Sequence, residues 1–490
     1  MTQRLSKQRR WLAGQGSFAR TVIVVATVVA ATASAGIYCM VMANESEGTL
    51  IVHEWGTFTE LQDDTGTPLG GINTDDEPVP EFVHRIHAKL LAPTHKVMPD
   101  FGFLSKAIPM NHQQVTMRME TPVLYFYPPA GMGSSLEADV NVSFRGGWIS
   151  EFYPHAESDA PGLKKMNLSP ERVGRLTWRG IQIGAAGTIP ETTDPVWTTP
   201  RLENPARVVT PEGEAEDYLF YRGVGNFSGP LRVVTDRDAN QVRIESRWDE
   251  LGLPGVPEFT VMWLIEVASD QRLAYRQVTP GAHPAPQVLA TVKRGFEETQ
   301  FALDHKRRLY CEMHDQLCAA GLYPDEATAM LGTWDRAYFQ SAGLRLFYLV
   351  PRLWTDDRLP LDVTPKQGSI RVATQRVMMG RIELVSDRQR ALIEAMKQAP
   401  GEFDSQWLQE IPQSPARDKF LRGQSDFGDL GVAIPAYYQN YLDIGRFRNA
   451  LLQNELQKDP TEALRQFAST HGITPALLVR QEPKPQEQGD

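Results

Sequence analysis

Thr21 to Ala43, TVIVVATVVAATASAGIYCMVMA, carries no charge over 23 residues, and nothing else in the chain limits its architecture as strongly. As a helix it would be roughly 35 Å long at 1.5 Å per residue. That is enough to cross a hydrocarbon core of about 30 Å. Arg4, Lys7, Arg9, Arg10 and Arg20 precede or border it, and no acid does. Such a flank holds the N-terminus in the cytoplasm and sends the remainder outward. The expected partner of residues 21–43 is therefore the membrane. The expected location is the cell membrane, single-pass, with an extracytoplasmic (periplasmic) body. Ala33-Ser34-Ala35 and Val41-Met42-Ala43 also fit small-residue cleavage sites, which would leave a secreted body. The apolar run is longer than the roughly 7–15 residues of a signal core, and this favours a retained anchor.

The body is acidic. Net charge is -10 over the whole chain, and residues 1–43 hold five bases and no acid, so residues 44–490 carry -15. Nucleic acid is excluded as a partner on this ground, because backbone phosphate needs Lys and Arg to neutralise it. The three cysteines cannot build a disulfide framework.

Thr49 to Thr59, TLIVHEWGTFT, reads as the first strand beyond the apolar segment. His53, Trp55, Thr57 and Thr59 share one face; Val52, Glu54 and Phe58 share the other. Val115 to Tyr127 is a second strong strand signal, broken or bulged at Pro122. Eight further β-rich runs follow between residues 138 and 278, at irregular spacing. Residues 80–91, 294–320 and 324–339 read as helices; 344–350 and 370–385 read as strands. Residues 437–456 and 461–470 are the clearest helices near the end. The fold class expected is α+β. A cytoplasmic basic segment, 1–20, precedes the anchor at 21–43. A β-rich, sandwich-like exported region covers 49–290, a mixed α+β region 291–386 and a helical region 387–475, with a polar tail at 476–490.

The opening strand resembles a family of exported bacterial proteins that share a V-H-E-W-G-T-F-T signature, here Val52 to Thr59. Gly70-Gly71-Ile72-Asn73 with Asp75-Asp76-Glu77-Pro78, and Arg118-Met119-Glu120-Thr121-Pro122-Val123, extend the likeness. Tyr221-Arg222-Gly223, Gly321-Leu322-Tyr323 and Thr333-Trp334 are later members of the pattern. The resemblance implies export. It brings no activity, fold or ligand with it.

Candidate chemistry therefore rests on residue types. Asp75, Asp76 and Glu77 form the densest acidic cluster, and hard oxygen ligands on a loop suit Ca²⁺ or Mg²⁺. His84 and His87 would share a face of the 80–91 helix, where His53 or Asp76 could complete a divalent-metal site. Glu54 or Glu120 would then be the general base acting on metal-bound water. Each of these groups also has a plain structural reading as a hydrogen-bonded core pair or a solvated loop. Arg118 and Glu120 share a strand face and form either an ion pair or, with Trp55, a ligand-binding patch. Cys311, His314 and Cys318 line one helical stripe and read as packing. Trp148, Trp178, Trp197 and Trp248 could form a glycan platform, although large aromatics are more often core. The leading expectation is a membrane-anchored extracytoplasmic protein that binds a ligand or an envelope protein, or has a structural role. A metal-assisted hydrolase is the alternative, and a glycan-binding protein a weaker one.

Overall fold

The computed structural model describes residues 48–74, 78–86, 104–105, 108–131, 135–281, 285–399, 403–421, 424 and 427–473. The apolar segment 21–43, the cluster Asp75 to Glu77, His87 and the tail 476–490 lie outside the described residues.

The strands begin with β1 (Thr49–Gln62), β2 (His84–Arg85), β3 (Leu104–Ser105), β4 (Ile108–Pro109) and β5 (Met117–Tyr127). Next come β6 (Leu136–Arg145), β7 (Gly147–Tyr153), β8 (Glu157–Asp159), β9 (Val173–Ile183), β10 (Val208–Val209), β11 (Ala215–Glu216) and β12 (Leu219–Gly225). The hairpins β13 (Leu231–Asp236) with β14 (Gln241–Ser246), and β15 (Met262–Val267) with β16 (Leu273–Val278), precede β17 (Val288–Lys293). The last three are β18 (Gly343–Leu349), β19 (Leu361–Pro365) and β20 (Arg371–Leu384). The helices used below are α1 (Pro195–Thr198), α2 (His305–Ala319), α3 (Pro324–Thr333), α4 (Asp335–Phe339), α5 (Arg352–Arg358) and α6 (Asp387–Lys397). They continue with α7 (Trp407–Glu410), α8 (Pro415–Leu421), α9 (Ala436–Asp443), α10 (Arg448–Lys458) and α11 (Glu462–Thr470).

One mixed sheet of 15 strands dominates, its main path running β11-β10-β9-β7-β12-β5-β1-β20-β18-β15-β16, with β6 and β19 branching from β9. β1 lies near the middle. It pairs in parallel with β20 from Thr49↔Arg371 to Gln62↔Leu384, and antiparallel with β5. Helices cover it on both sides, so its two faces are buried alike and the polar–apolar alternation of a half-exposed strand is missing. Trp55 packs with Val123, Tyr125 and Phe347 under residues of α2, α3 and α4. Leu50, Val52 and Phe58 belong to the other core, which also takes Ile393, Leu451 and Leu464 from α6, α10 and α11.

The α+β class stands, with a large mixed sheet and most helices towards the C-terminus. Local readings were close for most strands, including the irregularity at Pro122. The β1–β5 register shifts between Trp55 and Thr57, where Pro122 has no N–H to give the ladder. A Cβ on Gly56 would come within 3.0 Å of the Pro122 Cα. Four helix readings need correction, one of them the 437–456 helix, which is interrupted at residues 444–447 between α9 and α10. Within 80–91, His84 and Arg85 form a strand against Phe152 and Glu151, and Arg85 Nε bonds Glu151 Oε1 at 3.1 Å. Val83 and Ile86 flank that short strand as buried residues, so a helical spacing of apolar groups served another geometry. The helix read at 294–320 starts at His305, because Arg294 is tied to Asp387 Oδ1 at 2.7 Å and to the Val385 carbonyl at 3.0 Å. The 324–339 helix is divided at Trp334 into α3 and α4. The sheet is also continuous across the boundary drawn at 290/291, since β1 and β20 are neighbours.

Candidate functional site

β1 sends His53 and Glu54 to opposite faces, as strand geometry requires. Glu54 is wholly buried and bonded to Arg376 Nε from the adjacent β20 and to the Tyr221 hydroxyl from β12. Arg376 Nη1 reaches Asp356 Oδ1 of α5 at 2.9 Å. Burial opposes the Arg376 charge, but Glu54 outweighs it and the guanidinium pKa is raised. Burial, then the Glu54 carboxylate, holds the Tyr221 phenol well above its usual range. This carboxylate is the centre of a buried ion pair that joins β1 to β20 and β12.

On the opposite face, His53 Nδ1 lies 2.8 Å from Glu326 Oε2 of α3. A carboxylate only accepts, so the proton sits on Nδ1. Glu326 also accepts from the Tyr127 hydroxyl at 2.8 Å and from the Tyr323 N–H at 2.7 Å. The Tyr323 ring lies 4.5 Å from the imidazole, centroid to centroid. His53 is thus held by a helix N-terminus 273 positions away in sequence.

Further along that face stands a row of buried charges. Arg118 Nη2 is 2.9 Å from Glu120 Oε1, and Thr59 Oγ1 donates to Glu120 Oε2 at 3.0 Å. Thr59 is the cross-strand neighbour of both Arg118 and Arg381. Arg381 Nε bonds Glu383 Oε1 at 2.6 Å, and Arg345 Nε approaches the same oxygen at 3.1 Å. The expected strand pair Arg118–Glu120 is present, and Arg381–Glu383 repeats its spacing on β20. In this row Arg381 Nη1 is buried with no acceptor among the described residues. Burial, with Arg381 and Arg446 adding positive charge, pushes the Arg345 guanidinium down to about 10 against the pull of Glu383.

Of the remaining expected site residues, the described ones, His84 and Trp55, lie elsewhere. His84 sits at the sheet edge, its Nε2 2.9 Å from Glu214 Oε2 and its ring 5.2 Å from that of His155. Among the described residues, no three His, Cys, Asp or Glu side chains are placed to share a metal ion. Trp55 is fully buried and offers a ligand no face. Trp148, Trp178, Trp197 and Trp248 are core as well. Their indole N–H groups bond the Pro161, Pro154 and Gly255 carbonyls and, for Trp197, Glu216 Oε2. A sugar platform on those four rings is therefore corrected to internal packing. Cys311 and Cys318 are free, and Cys311 is exposed rather than packed.

What the structure adds is a polar cavity of about 510 Å³ where the β15–β16 turn, α4, α6 and the α9–α10 turn meet. Arg336, Arg388 and Arg446 line it, with Asp443, Gln340 and Gln271. Arg446 joins the cavity to the buried row, because its Nη2 lies 3.0 Å from Glu120 Oε1. Its charge is felt at Glu383, whose carboxyl stays below the usual range because Arg345, Arg381 and Arg446 outweigh burial. Arg388 Nη2 is 3.4 Å from Asp443 Oδ2 on the rim. None of the three cavity arginines was singled out in the sequence. They stand on separate helices and turns within ordinary polar runs, and no local motif marks them. Glu120 was singled out, and it is the link between the two descriptions.

No family model matches the chain, and no curated protein matches it. Among solved structures it is similar to the Fcho1 Mu homology domain of Danio rerio with bound Eps15 peptide. The alignment covers 69% of this chain and 96% of that one, at 9% identity and a TM-score of 0.24. A likeness of that size carries no argument.

Proposed function

We propose that this protein is a membrane-anchored, extracytoplasmic binding protein, and that its ligand site is the cavity between α4, α6 and the α9–α10 turn. Residues 21–43 supply the anchor in this reading, and the V-H-E-W-G-T-F-T resemblance supports export. The branch that β6, β9 and β19 form on the main sheet supports a sandwich-like N-terminal region. The observation that carries the reading is the cavity itself. It has the size of a small-molecule site, about 300–1,000 Å³, and its wall is continuous through Arg446 with the buried row at the centre of the sheet. Glu54 and His53 Nδ1, by contrast, are engaged in pairs that hold strand to strand and strand to helix.

The metal-assisted hydrolase reading needs His53, His84, Asp75, Asp76 and His87 to approach one point. His53 and His84 are each paired to a different glutamate. The test uses the full chain purified in detergent. A thermal-shift screen of small solutes is expected to raise the melting temperature with one solute class, and chelation is expected to leave it unchanged. One equivalent of tightly bound metal, with a fall in melting temperature on chelation, would instead favour the hydrolase. Recovery of the intact chain from the soluble cytoplasmic fraction would overturn the anchored, exported half of the proposal.

A further inference from the structure

Three arginines and one aspartate on the wall of a single cavity set a strong preference among ligands. Arg388 and Asp443 sit 3.4 Å apart, at the long end of a direct contact, with side chains 49% and 37% exposed. Arg446 is only 11% exposed. Its Nη2 is paired with Glu120 Oε1 at 3.0 Å, and the buried row behind it holds Arg345, Arg381 and Arg118 against two carboxylates, Glu120 and Glu383. A guanidinium fixed in this way is a planar fork that fits carboxylate and phosphate oxygens in pairs. The rest of the wall is mixed: Gln340 and Gln271 supply amides beside Ala337, Ala342 and Leu442, and the φ of 66° at Gln271 sets that residue at the tip of the β15–β16 turn. A volume of about 510 Å³ exceeds what an inorganic ion alone would fill.

We propose that the cavity binds a small, polar organic acid whose carboxylate or phosphate is held by Arg446 at the back and by Arg336 and Arg388 at the rim. This deepens the binding-protein reading and rests on it. The body as a whole is acidic, so the arginine wall is a local inversion of sign. It would admit an anion that the surrounding surface repels, and affinity would therefore fall with ionic strength.

The experiment titrates the full chain with citrate, glucose 6-phosphate, glucose and inorganic sulfate, by calorimetry. Citrate and glucose 6-phosphate are the carboxylate and phosphate arms. One or both are expected to bind at least about tenfold more tightly than glucose or sulfate, and the affinity should weaken between roughly 50 and 300 mM KCl. Arg336→Gln with Arg388→Gln, both at exposed positions, should weaken it at least tenfold without moving the melting temperature of the unliganded protein. Arg446→Gln should abolish it, and if that variant fails to fold the rim pair still decides. Equal binding of glucose, an affinity indifferent to the rim pair, or silence from both acids overturns the proposal. Glucose binding in the cavity would leave the binding-protein reading standing. Silence across the wider solute screen would remove that reading too.

Discussion

Replacing Arg376 with Met tests whether Glu54 is a structural group. Glu54 is 0% exposed, and the Arg376 side chain 2%. After the change, the carboxylate keeps the Tyr221 hydroxyl but loses its compensating charge. Breaking a buried ion pair from one side costs about 3–5 kcal/mol, because the remaining charge stays desolvated. The second contact of Arg376, to Asp356, contributes under about 1 kcal/mol, since that aspartate side chain is 42% exposed. Glu54→Gln alone should cost a similar amount by orphaning the guanidinium. The double variant, Glu54→Gln with Arg376→Met, should then be less damaged than the sum of the two, by roughly 2–3 kcal/mol of coupling. Urea unfolding followed by tryptophan fluorescence reads this directly, because the tryptophans among the described residues are buried. Single losses below about 1 kcal/mol, or strictly additive ones, would refute the pair as a structural element. They would also return Glu54 to the list of groups available for chemistry.

Three further outcomes are expected. Glu60 is fully buried, and burial pushes its carboxyl up to about 7 in spite of Arg247 and the Gly229 N–H. The unfolded chain releases that proton near the ordinary glutamate value of 4.5, so the folded state binds more protons between these limits. The contribution is complete below 4.5 and is lost as pH rises to 7, about 3 kcal/mol in all. Glu60→Gln should flatten the fall in stability over that window, and an unchanged slope would count against the assignment. Gly223→Ala should destabilise severely, by about 3 kcal/mol or more. Its Cβ would lie 2.0 Å from the Trp148 carbonyl oxygen, and that oxygen is backbone; a variant with wild-type melting temperature would contradict the β12–β7 register. Glu326→Gln weakens the acceptor shared by His53, Tyr127 and Tyr323 and should cost about 1–3 kcal/mol, measured by thermal unfolding; no loss would show that His53 is held by something else.

The local pattern of this chain was enough to place most of the elements of its sheet. Val115–Tyr127, Trp148–Tyr153 and Leu273–Val278 were read within a residue or two of their observed strands, because alternation and turn residues act over short distances. Where a tertiary partner altered the local preference, the reading failed. His84 and Arg85 join β7 instead of a helix, and Arg294 to Asp304 are held by the end of β20 and the Leu273–Ala302 bridge. The candidate site divides in the same way. Arg118 with Glu120 could be read from a spacing of two on a strand. His53 with Glu326, Glu54 with Arg376 and Glu120 with Arg446 could not, being separated by 273, 322 and 326 positions. Composition by itself determined that the body beyond the uncharged segment is acidic. Only the folded sheet decided which of its charges face one another and where arginines enclose a cavity, because sequence spacing fixes the direction of a side chain but not the partner that folding brings opposite it.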